Sequence, residues 1–169
     1  TPVDEKQTRF PSPGEYLYEP SGAVVRAHLV QELAQELGAN LIDPHLAYLT
    51  AAKAVQSPLA QCYEVLEEIP VHEKQLKKWV RERGFTALTI KKRGVDLVPE
   101  KMRATLLAGG AGKKSGKKAA KNQGYNPATL VFTRVGFGQQ ARRIGWHVRP
   151  VDFSDSAQVS SSDTKNSVV

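Results

Sequence analysis

The chain has 169 residues, a formal net charge of +7 and 40% hydrophobic residues. That suffices for one ordinary core, and the excess of cations favours polyanionic partners such as RNA, DNA or an acidic surface, without bearing on fold. The lone cysteine, Cys62, excludes a disulfide framework and a thiolate zinc site, and a reducing, cytoplasmic setting is expected. No run approaches the roughly eighteen apolar residues of a membrane span, so no membrane partner is expected. The chain opens on Thr1 rather than on methionine, as expected of a piece cut from something longer.

Residues 1–14 hold Pro2, Pro11, Pro13 and Gly14 among charges, the composition of an extended linker. A short strand is expected at Glu15–Glu19. Ser21 then reads as the N-cap of a helix over 21–37, because Val25, Leu29, Leu33 and Leu37 recur every four residues and Gly38 supplies a stop. Short elements follow at Leu41-Ile42 and Leu46–Leu49, separated by Asp43-Pro44. Residues 15–58 are thus expected to form a small α+β lobe.

From residue 60 to 152 the pattern predicts a second unit. Cys62–Ile69 is a strand ended by Pro70. Val71–Arg83 is a helix burying Leu76, Trp79 and Val80. Leu88–Arg93 is a strand, Pro99–Leu107 a helix, and Ala128–Val135 a strand apolar on both faces, hence central. Arg142–Arg149 alternates with Ile144, Trp146 and Val148 inward and Arg143, His147 and Arg149 outward, as in a half-buried strand. The order β-α-β-α-β-β is that of an α+β two-layer sandwich. Residues 109–124 are expected to be a disordered lysine- and glycine-rich insertion, and 153–169 a disordered tail.

A glycine turn between a strand and a helix, the mark of a nucleotide site, is missing: Gly109-Gly110-Ala111-Gly112 follows a helix and Gly136-Phe137-Gly138 sits in a hairpin. His28, His45, His72 and His147 stand at no zinc-ligand spacing, and no catalytic, cofactor or metal residue is predicted. What remains is the basic surface. Leu88-Thr89-Ile90-Lys91-Lys92-Arg93-Gly94 delivers three cations to a turn. Lys91, Lys92 and Arg93, joined by Arg134, Arg142, Arg143 and Arg149 on neighbouring strands, are the candidate nucleic-acid-binding residues, since such cations contact phosphate oxygens without sequence preference. Phe137 and Trp146 are candidates for base stacking, with Trp146 better placed in the core.

Two stretches carry a resemblance. Gly14-Glu15-Tyr16-Leu17-Tyr18-Glu19-Pro20 with Ala23–Ala27 resembles the segment after the catalytic domain in a family of bacterial class I S-adenosylmethionine-dependent methyltransferases. Leu88–Asp96 with Thr129–Gly136 resembles the C-terminal THUMP-like domain, ferredoxin-like in fold, of the same family. The resemblance implies an upstream methyltransferase domain of the same polypeptide, S-adenosylmethionine bound there and not here, and RNA, tRNA or rRNA, as partner. The expectation is therefore an accessory RNA-holding region. The alternative is a structural or protein-interaction domain with a basic surface.

Overall fold

The computed structural model describes residues 8–109, 124–136 and 138–154. The expected linker through residue 7, the centre of the lysine-rich insertion, Phe137 and the tail from residue 155 lie outside them. The described chain is an α+β protein with one seven-stranded sheet and four α-helices.

In chain order the elements are β1 (Tyr16–Pro20), α1 (Gly22–Arg26), α2 (Val30–Leu37), β2 (Asn40–Leu41), β3 (Leu49–Ala51), β4 (Ala60–Ile69), α3 (Glu73–Arg83), β5 (Ala87–Arg93), α4 (Pro99–Leu107), β6 (Pro127–Val135) and β7 (Arg142–Pro150). The strands lie in the order β2-β3-β1-β4-β7-β6-β5. Among the named strands only β5 and β6 pair in parallel, and α4 makes their crossover. The β-α-β-α-β-β succession read from residue 60 onward is present as β4-α3-β5-α4-β6-β7, and β6 is flanked on both sides as its two apolar faces require.

The single helix expected over 21–37 is two helices. α1 buries Val24, whereas α2 buries Leu33, Ala34 and Leu37. At 100° per residue one straight helix would set Val24 and Leu33 about 180° apart, so both can face the sheet only if the helix breaks. The break is at His28, whose φ of 57° makes it the non-glycine residue with positive φ among the described residues. His28 N–H donates to Val25 O at 3.2 Å and Leu29 N–H to Val24 O at 3.1 Å, the paired bonds of a left-handed helix terminus.

Residues 15–58 and 60–152 share the one sheet. β1 pairs antiparallel with β4 from Tyr16↔Glu64 to Pro20↔Ala60 and with β3 on its other side, so the expected boundary near residue 58 falls in the β3–β4 connection and is crossed by this pairing. A register shift between Val65 and Glu67 in β4 reverses its faces. Tyr63 and Val65 point to one side, Glu67 and Ile69 to the other.

The side covered by α3 and α4 holds a core of Ile69, Leu76, Val80, Leu88, Ile90, Leu106, Leu130 and Phe132. α1 and α2 cover Tyr18, Leu41, Leu49 and Cys62 at the other end. The opposite side of the sheet holds Leu17, Tyr48, Tyr63, Val65, Val131, Ile144, Trp146 and Val148. Each such side chain contributes roughly 1.5–3 kcal/mol when fully buried. Three strands separate β1 from β5, roughly 19 Å if the sheet were flat. Yet Lys91 Nζ of β5 is 3.2 Å from Glu19 Oε1 of β1, and Arg93 Nη2 donates to Pro20 O at 3.0 Å. The sheet is therefore curled into a half-barrel whose concave side encloses the third core, which is why Trp146 is 1% exposed.

Candidate nucleic-acid interface

The curl sorts the seven cations predicted from the sequence, because alternate residues of a strand face opposite ways. Lys91 and Arg93 point into the concave side. Lys91 pairs with Glu19, both side chains being largely covered at 29% and 22% exposure, and its ammonium lies 5.6 Å from the Tyr63 ring centroid. Burial pulls the Lys91 pKa down, but its contacts with Tyr63 and the charge of Glu19 outweigh burial, and the net direction is upward. Arg93 lies over the Tyr48 ring at 5.5 Å, and its carbonyl accepts from Thr133 Oγ1 at 2.9 Å. Both residues are spent on closing the half-barrel. Arg142 is over the Phe10 ring at 5.5 Å, and Phe10 in turn leans on Trp146.

Lys92, Arg134 and Arg143 point to the helix side, at the end of the sheet where β5 and β6 finish and β7 begins. Arg134 and Arg143 are directly opposite one another across β6 and β7. All three are exposed and make no ion pair among the described residues. Like charges set directly opposite on a sheet repel. Arg143 also borders a groove of about 330 Å³ with Met102 and Leu97 in its wall, Lys101 and Thr105 from α4, and the acids Glu73 and Asp96. Lys101 was not among the predicted residues. Its only sequence signal was its place in the first turn of the Pro99 helix, which α4 turns toward β7. Arg149 stands apart, six residues and roughly 20 Å along β7 from Arg143, bonded to Glu64 Oε2 at 2.6 Å.

His147, expected to face outward into solvent, lies under α3, with its ring 5.3 Å from Trp79 and 5.2 Å from Phe85. β7 is thus covered on both sides. Arg83 Nη2 is 2.8 Å from Glu67 Oε1 but is aligned to donate to Oε2, at 3.0 Å. Glu67 Oε1 and His147 Nδ1, 3.9 Å apart, are left as the buried side-chain polar atoms without a hydrogen bond among the described residues. Burial holds the His147 pKa below its ordinary value, with the charges of Arg83 and Arg149 adding to the effect and Glu67 opposing it.

No arrangement of a nucleophile with a base is present among the described residues. Cys62 is buried and its thiol pushed up to about 11 by that burial, so it carries little thiolate at neutral pH. No group of three or more His, Cys, Asp or Glu side chains among the described residues can hold a metal ion. The parallel unit β5-α4-β6 is the place to test for a nucleotide cofactor. Its strand-to-helix turn begins at Gly94, where an added Cβ would lie 2.8 Å from Leu46 Cδ2, and Val95 and Leu97 are buried. The turn is filled by protein, and the residues do not fit S-adenosylmethionine.

Residues 60–150 match the family model described as THUMP domain-like. Two uncharacterized S-adenosylmethionine-dependent methyltransferases, from two strains of Mycobacterium tuberculosis, are each 29% identical over 137 residues, covering 81% of this chain and 34% of the relative. The chain thus spans about a third of the length of the curated relatives it matches. A crystal structure from Porphyromonas gingivalis W83, described as a candidate methyltransferase, superposes with a TM-score of 0.59 at 20% identity, covering 88% of this chain and 33% of that one. That likeness concerns the fold. With the matched span taking in β4 through β7 and both helices between them, the chain belongs to the THUMP domain-like family.

Proposed function

We propose that this chain is the RNA-holding part of a larger S-adenosylmethionine-dependent methyltransferase of the cytoplasm, and that it grips phosphates at the end of the sheet where Lys92, Arg134 and Arg143 stand. The observation that carries this reading is the arginine pair facing itself across β6 and β7, with no acid among the described residues in an ion pair with it. An isolated repulsive pair lowers stability. An anion between the two guanidiniums turns it into a bidentate clamp, for which arginine's fork is suited. The family and the names of the relatives support a place beside methyl-transfer chemistry. S-adenosylmethionine belongs, on this reading, to a part of the protein outside this chain, and no catalytic step is assigned to residues here. The apolar groove formed by Ala27, Leu29, Leu33 and Leu59 is on the same reading a surface for that upstream methyltransferase domain.

The test is a binding series of this chain against tRNA and single-stranded RNA at two salt concentrations. The double variant Arg134→Gln/Arg143→Gln is expected to weaken binding and to reduce the log–log salt slope by roughly 0.7 for each single-strand phosphate it no longer neutralises. Its stability should stay within about 0.5 kcal/mol of the parent, or rise, because a repulsion is removed. Equal binding by parent and variant, or no binding by the parent at low salt, overturns the reading.

A further inference from the structure

His28 occupies a position where glycine is the unstrained choice. The left-handed terminus of α1 needs φ near +60°, and His28 adopts 57°. An L-residue there is destabilised relative to glycine. The side chain is exposed. It lines a groove of about 400 Å³ between the α1–α2 junction and the β2–β3 loop. His45 lines the same groove from that loop, Gln31 from α2, and Val25, Leu41 and Leu46 supply apolar wall.

The groove adjoins the basic end of the sheet. Leu46, in its wall, packs against Gly94, the residue after Arg93. Asp43, which opens the same loop, accepts through Oδ2 from Gly136 N–H at 2.8 Å, two residues beyond Arg134. The β2–β3 loop is thus the wall between the groove and the strand ends that carry the phosphate-binding cations.

We infer that this groove takes one unpaired nucleobase of the RNA whose phosphates lie on Lys92, Arg134 and Arg143. The inference rests on the function proposed above. Imidazole rings offer faces on which a base stacks, the aliphatic wall accepts a flat heterocycle, and the Gln31 amide supplies both a donor and an acceptor for a base edge. A transition-metal ion would use the same two imidazoles, but no third ligating side chain stands with them among the described residues. The retained strain at His28 then has a use, as strained residues at binding sites do.

The experiment exploits the opposite signs expected of one substitution. His28→Gly keeps the backbone conformation and removes the ring. In the full chain it should raise the thermal midpoint by about 2–4 °C. It should also weaken binding of a short single-stranded RNA by roughly five- to tenfold, the lower range for loss of one stacked base. The parent should prefer that RNA over one carrying an abasic residue, and His28→Gly should lose the preference. Should His28→Gly bind and discriminate like the parent while Arg134→Gln/Arg143→Gln binds weakly, the base groove is refuted and the phosphate site stands. Should the parent bind no RNA, both fall.

Discussion

Among single residues the informative one is His147, which the strand alternation placed in solvent and the fold placed under Trp79 and Phe85. Its pKa in the folded chain is lowered, first by burial. A group whose folded pKa lies below its unfolded value, near 6.5 for histidine, leaves the unfolded state with more bound protons as pH falls. Stability from this residue is therefore full above about pH 6.5 and is lost as pH drops below that value toward the folded pKa. Thermal midpoints measured between pH 7.5 and 5.5 should fall more for the parent than for His147→Phe, which keeps the aromatic contacts and removes the titrating ring. Parallel curves for the two proteins would show that His147 does not titrate on unfolding. The sequence carried the alternation of β7 but no sign that a helix covers its second face, because that depends on Trp79 and Phe85 arriving from sixty or more residues away.

Among the strands and helices, the stretch Lys91-Lys92-Arg93-Gly94 was legible as strand, turn and charge, and it is all three. What the sequence did not separate is that alternate cations do different work. Lys91 and Arg93 hold the half-barrel closed on Glu19 and Pro20, and Lys92 alone of the three reaches the helix side. The division follows from the curl of the sheet, a long-range property with no local signature. Gly94 fixes where the strand ends. It has a φ of 68°, and the space beside it is taken by Leu46. Gly94→Ala should cost about 1–2 kcal/mol from the left-handed backbone alone, with Leu46 forced to shift as well. A urea midpoint unchanged from the parent would show that the turn relaxes to another conformation. The helix break at His28 was equally hidden, since the four-residue stripe of Val25, Leu29, Leu33 and Leu37 is a sound helical pattern. Leu33 and Leu37 of that stripe are buried in α2, but α1 buries Val24 rather than Val25, and Leu29 is left 48% exposed.

The sheet as one piece decides what can fold alone. The family match begins at residue 60, yet β4, the first matched strand, has β1 along one side for five paired positions. Leu17, Ile42 and Tyr48 from the preceding residues complete the concave core with Tyr63, Val65 and Trp146. A fragment of residues 60–150 would leave β4 as an edge strand, stripped of its β1 partners along Ala60–Glu64, with an open apolar face, a combination that promotes edge-to-edge association. It is expected to elute as aggregate, whereas residues 8–154 should elute as a single cooperative folding unit. A monomeric fragment with a sharp thermal transition would show that β1 and the β2–β3 loop are dispensable. Pairing between β1 and β4 spans some forty residues, and Pro58, which reads as the close of a lobe, gave no hint of it.

The crossover between β5 and β6 bears on how this chain can vary. α4 ends beside Gly109, whose carbonyl accepts from Arg81 Nη2 at 3.3 Å. The chain re-enters at Gly124, just before Asn126 is pinned to Thr86, Arg83 and Gly84. Both anchor points lie where β5 and β6 start, roughly 20 Å from the ends that carry Lys92 and Arg134. For a flexible connection, doubling the length costs only about 0.6 kcal/mol. A change in the length of this connection is thus expected to cost little in folding and lies far from Lys92, Arg134 and Arg143.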